Sequence, residues 1–303
     1  MVVSISTVAV LRMAKHACQQ SGTTVSGCLL GLDSEAGAIE VTNVFMHPAK
    51  GAADFQPQQQ EDSTVSANSL EAAAATAAAS FQTESVRLLK QANLDGNIVG
   101  WFQSSTLSSF VNEATVEIQF DYQTQNSNAI LIVSDPAFET PLKAFRLTAA
   151  YMAFHKATRD RQNQSPATLI TGGPVSFNTA SMRVFEEVEI NVSLSVLDEA
   201  FLFESKTSAA PSSQSANTTT AVQLLMETVE DLAIEKVRFS QLTAGKAPIT
   251  TATRIRGEDE VKRLQSANFL ILLTENVRRL TAHVEAAAKD NELICKIFES
   301  VRA

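Results

Sequence analysis

Any chemistry in this chain has to come from a small set of side chains. Its four histidines, His16, His47, His155 and His283, are scattered. None stands two, three or four residues from another, the spacing that lets two imidazoles on one element hold the same metal ion. Histidines so isolated read as core or surface residues. The three cysteines, Cys18, Cys28 and Cys295, are odd in number and far apart. That pattern suggests neither a disulfide framework nor a thiolate zinc cluster, and it points to a reducing compartment. Asp135 precedes Pro136 at the end of an apolar run and reads as a turn rather than as a catalytic carboxylate. Gly172, Gly173 and Pro174 are turn punctuation as well. No G-x-S-x-G elbow, phosphate-binding loop or dinucleotide fingerprint occurs.

One segment is more specific. Gly100-Trp101-Phe102-Gln103-Ser104-Ser105 lies between a strand-like run and a helix-like run. It resembles the GWYHSHP segment of the JAMM metalloproteases, which belong to the Mpr1/Pad1 N-terminal (MPN) family. A hydrolytic zinc keeps three protein ligands and one water, and a carboxylate must accept that water's proton. The resemblance places the two histidine ligands on Gln103 and Ser105, the serine on Glu113, the aspartate ligand on Val116 and the upstream glutamate on Thr24. None of the five supplies its role. The resemblance therefore implies an inactive MPN domain, with no catalytic residue, no metal and no cofactor.

The elements around that segment follow from apolar spacing. Val8, Leu11, Met13, Ala14 and Ala17 predict an amphipathic helix with Ser6 as its N-cap. The runs 25–32 and 39–48, separated by Asp33 to Ala38, predict a hairpin. An Ala-rich stretch of strong helix formers predicts a helical insertion over about 64–93. Strands are expected at 97–102, 129–136 and 184–195, a helix from about Ser108 to Tyr122, and a strand running into a helix at 142–154. A short helix through Phe203 closes the unit. The fold class is α/β, and the family resemblance implies a central mixed β-sheet flanked by helices over residues 1–204.

Beyond it, residues 205–220 hold almost no large apolar side chain and predict a flexible linker. Residues 221–303 predict assembly helices. Val222, Leu225, Met226, Val229 and Leu232 form one stripe. Leu270, Leu273, Val277, Leu280, Val284, Ile294 and Phe298 follow spacings of three and four, with Asn291 as a polar register position. Those side chains are the expected partner-binding residues, since exposed apolar stripes mark interaction sites. The alternative is that they pair the two helices with each other as a hairpin.

Composition narrows the function. Thirty-three acidic against twenty-four basic side chains give a formal charge of −9 and argue against a broad nucleic-acid footprint. No apolar run approaches the roughly 18 residues of a membrane span, and residues 1–20 lack a basic leader, so a soluble cytoplasmic protein is expected. TTVSGCLLGL, IEVTNVFMHP, GWFQSS, IQFDYQ, ILIVSDP, LKAFRLT, FEEVEINV and VQLLMETVEDL together resemble, in order and spacing, the inactive MPN subunits of eukaryotic translation initiation factor three. That resemblance implies a scaffold that pairs with another MPN subunit (the f subunit), sends helices into a bundle, and reaches the small ribosomal subunit through the complex. It implies no direct sequence-specific contact with nucleic acid. The inactive MPN subunits of the proteasome lid and of the COP9 signalosome remain the alternatives in the same class. An active zinc isopeptidase would need an H-x-H that the sequence does not contain.

Overall fold

The computed structural model describes residues 1–19, 25–34, 38–47, 80–92, 95–105, 110–134, 142–163, 182–205, 215–244 and 253–302. Thr24, on which the upstream glutamate position falls, and most of the Ala-rich insertion lie outside them. Within the insertion a helix is described over 80–91.

The strands are β1 (Val2–Ser6), β2 (Ser26–Asp33), β3 (Ala38–Met46), β4 (Ile98–Ser104), β5 (Ile130–Ser134), β6 (Leu142–Leu147) and β7 (Phe185–Ser193). The helices are α1 (Thr7–Gln19), α2 (80–91), α3 (Glu113–Gln125), α4 (Ala149–Asn163), α5 (Val196–Ser205), α6 (Ser215–Ala244) and α7 (Thr253–Arg302). No helix among the described residues is long and apolar enough to cross a membrane.

The expected mixed sheet is present, and it is a closed one. Its order, β1-β3-β2-β4-β5-β6-β7, closes on itself because β1 pairs in parallel with both β3 and β7. Sequence reading missed β1, because VVSIS has only two inward positions. Val3 and Ile5 are both fully buried, and the strand supplies the last two ladders of the barrel. Closure leaves no unpaired sheet edge among these strands. Two glycines let the strands approach. A Cβ at Gly100 would sit 2.1 Å from the Ile130 carbonyl oxygen across the β4–β5 ladder. At Gly31, beside the bulge in β2, it would sit 1.8 Å from the Glu40 carbonyl oxygen.

Alternation along the strands makes two cores. Phe102, Ile130, Ile132 and Ala144 join Val3, Ile5, Leu29 and Val41 on one face, closed by Ala9 and Met13 of α1. The Ser6 hydroxyl accepts from the Ala9 N–H at 3.3 Å, the N-cap expected of it. Trp101, Leu131, Val133, Phe145 and Leu147 face the other way and meet Val116 and Phe120 of α3 and Tyr151 and Phe154 of α4. The second core also takes Leu264, Ala267, Ile271 and Leu272 from α7.

Two boundaries and one helix face differ from expectation. α3 begins at Glu113 rather than near Ser108, where Asn112 caps it by accepting from the Thr115 N–H at 2.8 Å. The polar stretch expected as a linker through residue 220 is helical from Ser215, because Ser, Ala, Asn and Thr continue a helix once a long apolar-faced helix follows them. α7 is not a single-seam helix. Its run FLILL is apolar on two sides, so Ile271 and Leu272 bury against the barrel. Of the expected seam, Leu273 and Leu280 are buried, whereas Leu270, Val277 and Val284 are only half-buried. The side chains of Asn291, Ile294 and Phe298 lie outside those described.

Candidate functional site

The segment that resembles a zinc site is built where the end of β4 meets the start of β2 and the first turn of α3. Ser26 lies opposite Gln103 in the ladder, the Val25 N–H donates to Ser104 Oγ at 2.8 Å, and the Ser104 N–H donates to the Val25 carbonyl at 2.8 Å. The strand ends are thus fixed from both sides. Gln103 is buried, and its Oε1 accepts from Thr115 Oγ1 at 3.2 Å. Ser105 is buried too, and its N–H donates to the Ser134 carbonyl at 2.9 Å.

The structure therefore brings Gln103 and Ser105 to one junction and adds Thr115 to them. It does not bring the other two positions into that polar group. Val116 is fully buried among the aromatic side chains of the second core, and Glu113 is exposed at the first residue of α3. The side chains at Gln103, Ser105 and Val116 are two neutral polar groups and one hydrocarbon, so they do not fit a zinc ion, which takes imidazole, thiolate or carboxylate. Among the described residues no three His, Cys, Asp or Glu side chains gather in one place.

Beside this junction runs a buried polar chain that sequence reading missed. Trp101 Nε1 donates to Gln119 Oε1 at 2.8 Å. Gln119 Nε2 donates to Gln123 Oε1 at 3.0 Å and to the Ala129 carbonyl at 2.9 Å. Gln123 Oε1 also accepts from the Leu147 N–H at 2.7 Å, and its Nε2 donates to the Leu147 carbonyl at 3.3 Å. Two glutamines one helical turn apart thus tie α3 to β4, to the residue that leads into β5, and to β6. The signal was the i, i+4 pair within IQFDYQ, which supplies amides on the same face as Val116 and Phe120.

A second cluster lies on the same face of β2. Cys28 Sγ is 3.3 Å from His47 Nε2 and 3.3 Å from Tyr122 Oη, and Ser26 Oγ is 3.4 Å from His47 Nδ1. The array is not a nucleophile with its base. Burial pushes the thiol up to about 11 and holds His47 below its ordinary value, so the pair is a neutral thiol beside a neutral imidazole at neutral pH.

The residues expected to bind partners divide by position. On α6, Leu225 and Leu232 are half-buried, while Val222, Met226 and Val229 are exposed, Met226 at 61%. At 3.6 residues per turn Val222, Met226, Val229 and Val237 fall within about 80° of one another, so the outer side of α6 carries an apolar stripe. Val237 is 58% exposed. α7, by contrast, is held on the barrel by Tyr151 Oη, which donates to Asn268 Oδ1 at 2.5 Å, and by Asn276 Nδ2, which donates to the Val111 carbonyl at 2.9 Å.

The part of the chain that holds β1 to α3 and the β4–α3 junction is an MPN-type domain by its match to a family model. Residues 1–128 match the family described as JAB1/Mov34/MPN/PAD-1 ubiquitin protease. Three relatives share a name, the H subunit of eukaryotic translation initiation factor 3. The one from Neurospora crassa is 31% identical over 67% of this chain and 54% of its own length. The one from Arabidopsis thaliana is 30% identical over 78% and 66%, and the one from Dictyostelium discoideum 33% over 67% and 56%. The chain belongs to the family of H subunits of eukaryotic translation initiation factor 3. It spans between about half and two thirds of the length of these curated relatives.

Proposed function

We propose that the chain works without catalysis, as a scaffold subunit of the translation initiation factor three complex in the cytoplasm, supporting assembly of the 43S pre-initiation complex on the small ribosomal subunit. The absence of catalysis is supported by the residue types at the five ligand and base positions, Thr24, Gln103, Ser105, Glu113 and Val116. Its partners in this reading are an MPN subunit, the f subunit, and neighbours in a helical bundle. Contact with RNA is indirect, as the −9 charge favours.

The observation that carries the scaffold reading is the outer stripe of α6. Val222, Met226, Val229 and Val237 are each more than two fifths exposed along one face of a 30-residue helix. Isolated apolar side chains on a surface are ordinary, but a stripe at helical spacing is the surface an amphipathic partner helix covers. The expected partner-binding set is thereby narrowed. Val222, Met226 and Val229 are available, Leu225 and Leu232 are half-committed to the packing of α6 on its own chain, and Leu273 and Leu280 are buried within the chain.

The test is affinity purification of the tagged full chain from its native cytoplasm beside the variant M226D/V229D, with partners identified by mass spectrometry. Initiation-factor subunits and small-subunit ribosomal proteins should accompany the parent and fall at least tenfold with the variant. Recovery of proteasome-lid or signalosome subunits with the parent would replace the complex and keep the scaffold. Equal recovery of initiation-factor subunits by both chains would reject α6 as the docking face.

A further inference from the structure

α7 carries one cation into the aromatic face of the barrel. The guanidinium carbon of Arg279 lies 4.5 Å from the ring centroid of Phe145, 5.4 Å from that of Phe110 and 6.0 Å from that of Phe185. The three rings touch one another, with centroids 5.1 to 6.1 Å apart. They come from three places in the chain, β6, β7 and the turn that leads into α3. A guanidinium suits such a receptor, since it is planar, weakly hydrated and attracted to ring faces.

The charge partner of Arg279 travels with it. Glu275, one turn earlier on α7 and 3% exposed, is 3.0 Å from Arg279 and also receives Arg278 at 2.5 Å. The barrel side of the contact is three hydrocarbon rings, with Glu187 of β7 acting on the cation from a distance and itself paired to Lys143 at 3.3 Å. If α7 lifts away, the ion pair leaves as a unit and no unpaired charge stays in the barrel. A helix fastened in this way leaves no charge behind in its receptor, whereas an ion pair split between the two sides would strand a buried charge on each.

We propose that Arg279 and the Phe110–Phe145–Phe185 cage form a latch that fastens α7 to the barrel, so that the MPN domain and the helical arm behave as one rigid body while the cage is filled. The inference is independent of the scaffold reading, because it concerns contacts within the chain. It also explains why the polar contacts of α7 with the domain, Asn268, Asn276 and Arg279, lie along one side of the helix over three turns.

Amide hydrogen exchange of the full chain, read by mass spectrometry, tests it in three variants. R279M keeps the aliphatic stem and removes the charge. F145L keeps the apolar bulk and removes the central ring face. R279K keeps a cation and loses the planar fork. Exchange over residues 264–280 is expected to rise at least tenfold in R279M and F145L and by an intermediate amount in R279K, with β5 and β4 unchanged within twofold. Unchanged exchange over 264–280 in R279M would show that Leu264, Ile271 and Leu272 hold the helix unaided, and would overturn the latch. A parallel rise in α7 and β5 in both R279M and F145L would overturn it as well, by making Arg279 part of one global core.

Discussion

The β4–α3 junction and the outer face of α6 are opposites. At the junction, polar side chains that could meet a ligand are turned inward and used up. Gln103, Thr115, Gln119 and Gln123 are all buried, and each has a hydrogen-bond partner inside the protein. On α6, apolar side chains that could fill a core are turned outward and left uncovered. A catalytic pocket needs unsatisfied polar groups facing a cavity, and a docking helix needs unsatisfied apolar groups facing solvent. Among the described residues the β4–α3 junction lacks the first arrangement and the outer face of α6 has the second, which is what the proposed scaffold role asks of them.

The contrast breaks most visibly if the junction is forced back toward chemistry. Val116→Asp would restore the carboxylate type expected of a JAMM ligand, but it would place it in the apolar cluster that holds Trp101, Phe110 and Phe120. A buried carboxylate without a partner costs several kcal/mol, so the variant should lose roughly 4 kcal/mol or more of unfolding free energy in a urea titration. The combination Q103H/S105H/V116D should remain short of stoichiometric zinc by elemental analysis. Tight zinc binding by a folded triple variant would show that the junction is a dormant site rather than a packed one.

Gln119→Ala tests the buried amide chain next. It strands the indole N–H of Trp101, the carbonyl of Ala129 and one acceptor site on Gln123, all away from water. One to three kcal/mol per stranded group, with partial relaxation, gives an expected loss of about 3 kcal/mol. The same measurement on the exposed neighbour Glu117→Ala should move the midpoint by less than about 0.5 kcal/mol. The comparison sharpens in a third variant, Gln103→Ala, which removes only the acceptor of the Thr115 hydroxyl and should cost about 1 kcal/mol while leaving partner recovery unchanged. Loss of partners in that variant, with stability intact, would move the functional surface from α6 to the junction.

How much of this was legible in the sequence depended on whether a local pattern decided the outcome. The hairpin of β2 and β3, the runs of β4 and β5, and α1 with its Ser6 cap follow from local periodicity and were read correctly. The residue types at Gln103, Ser105 and Val116 were legible as well, because motif spacing needs no tertiary knowledge. Closure of the barrel was not, since Val3 and Ile5 acquire meaning only when β7, nearly 190 residues away, returns beside them. The second face of α7 was hidden for a related reason. Leu270, Ile271, Leu272 and Leu273 satisfy any apolar face one chooses, and Ile271 and Leu272 join a core cluster assembled from distant segments, Phe110, Phe145 and Phe185 among them. The glutamine chain was missed because an amide pair at i and i+4 does not by itself say whether its face of the helix is buried.

The smallest expected effect concerns His47, which joins Ser26 and Cys28 behind the junction. Burial holds its imidazole below the ordinary value of 6.5, so the unfolded chain binds the proton more readily than the folded one. Its share of stability is therefore complete above the unfolded value and is lost as pH falls from there toward the folded one. His16 and His155 are shifted the same way, each chiefly by burial, and contribute slope in the same window. In His47→Gln the fall in urea midpoint between about pH 7.5 and about pH 5.5 should be shallower than in the parent, though not abolished, because the other two remain. A steeper fall would mean that His47 is charged in the folded state, and with a cation beside it the Cys28 thiol would have to be reread as a poised thiolate.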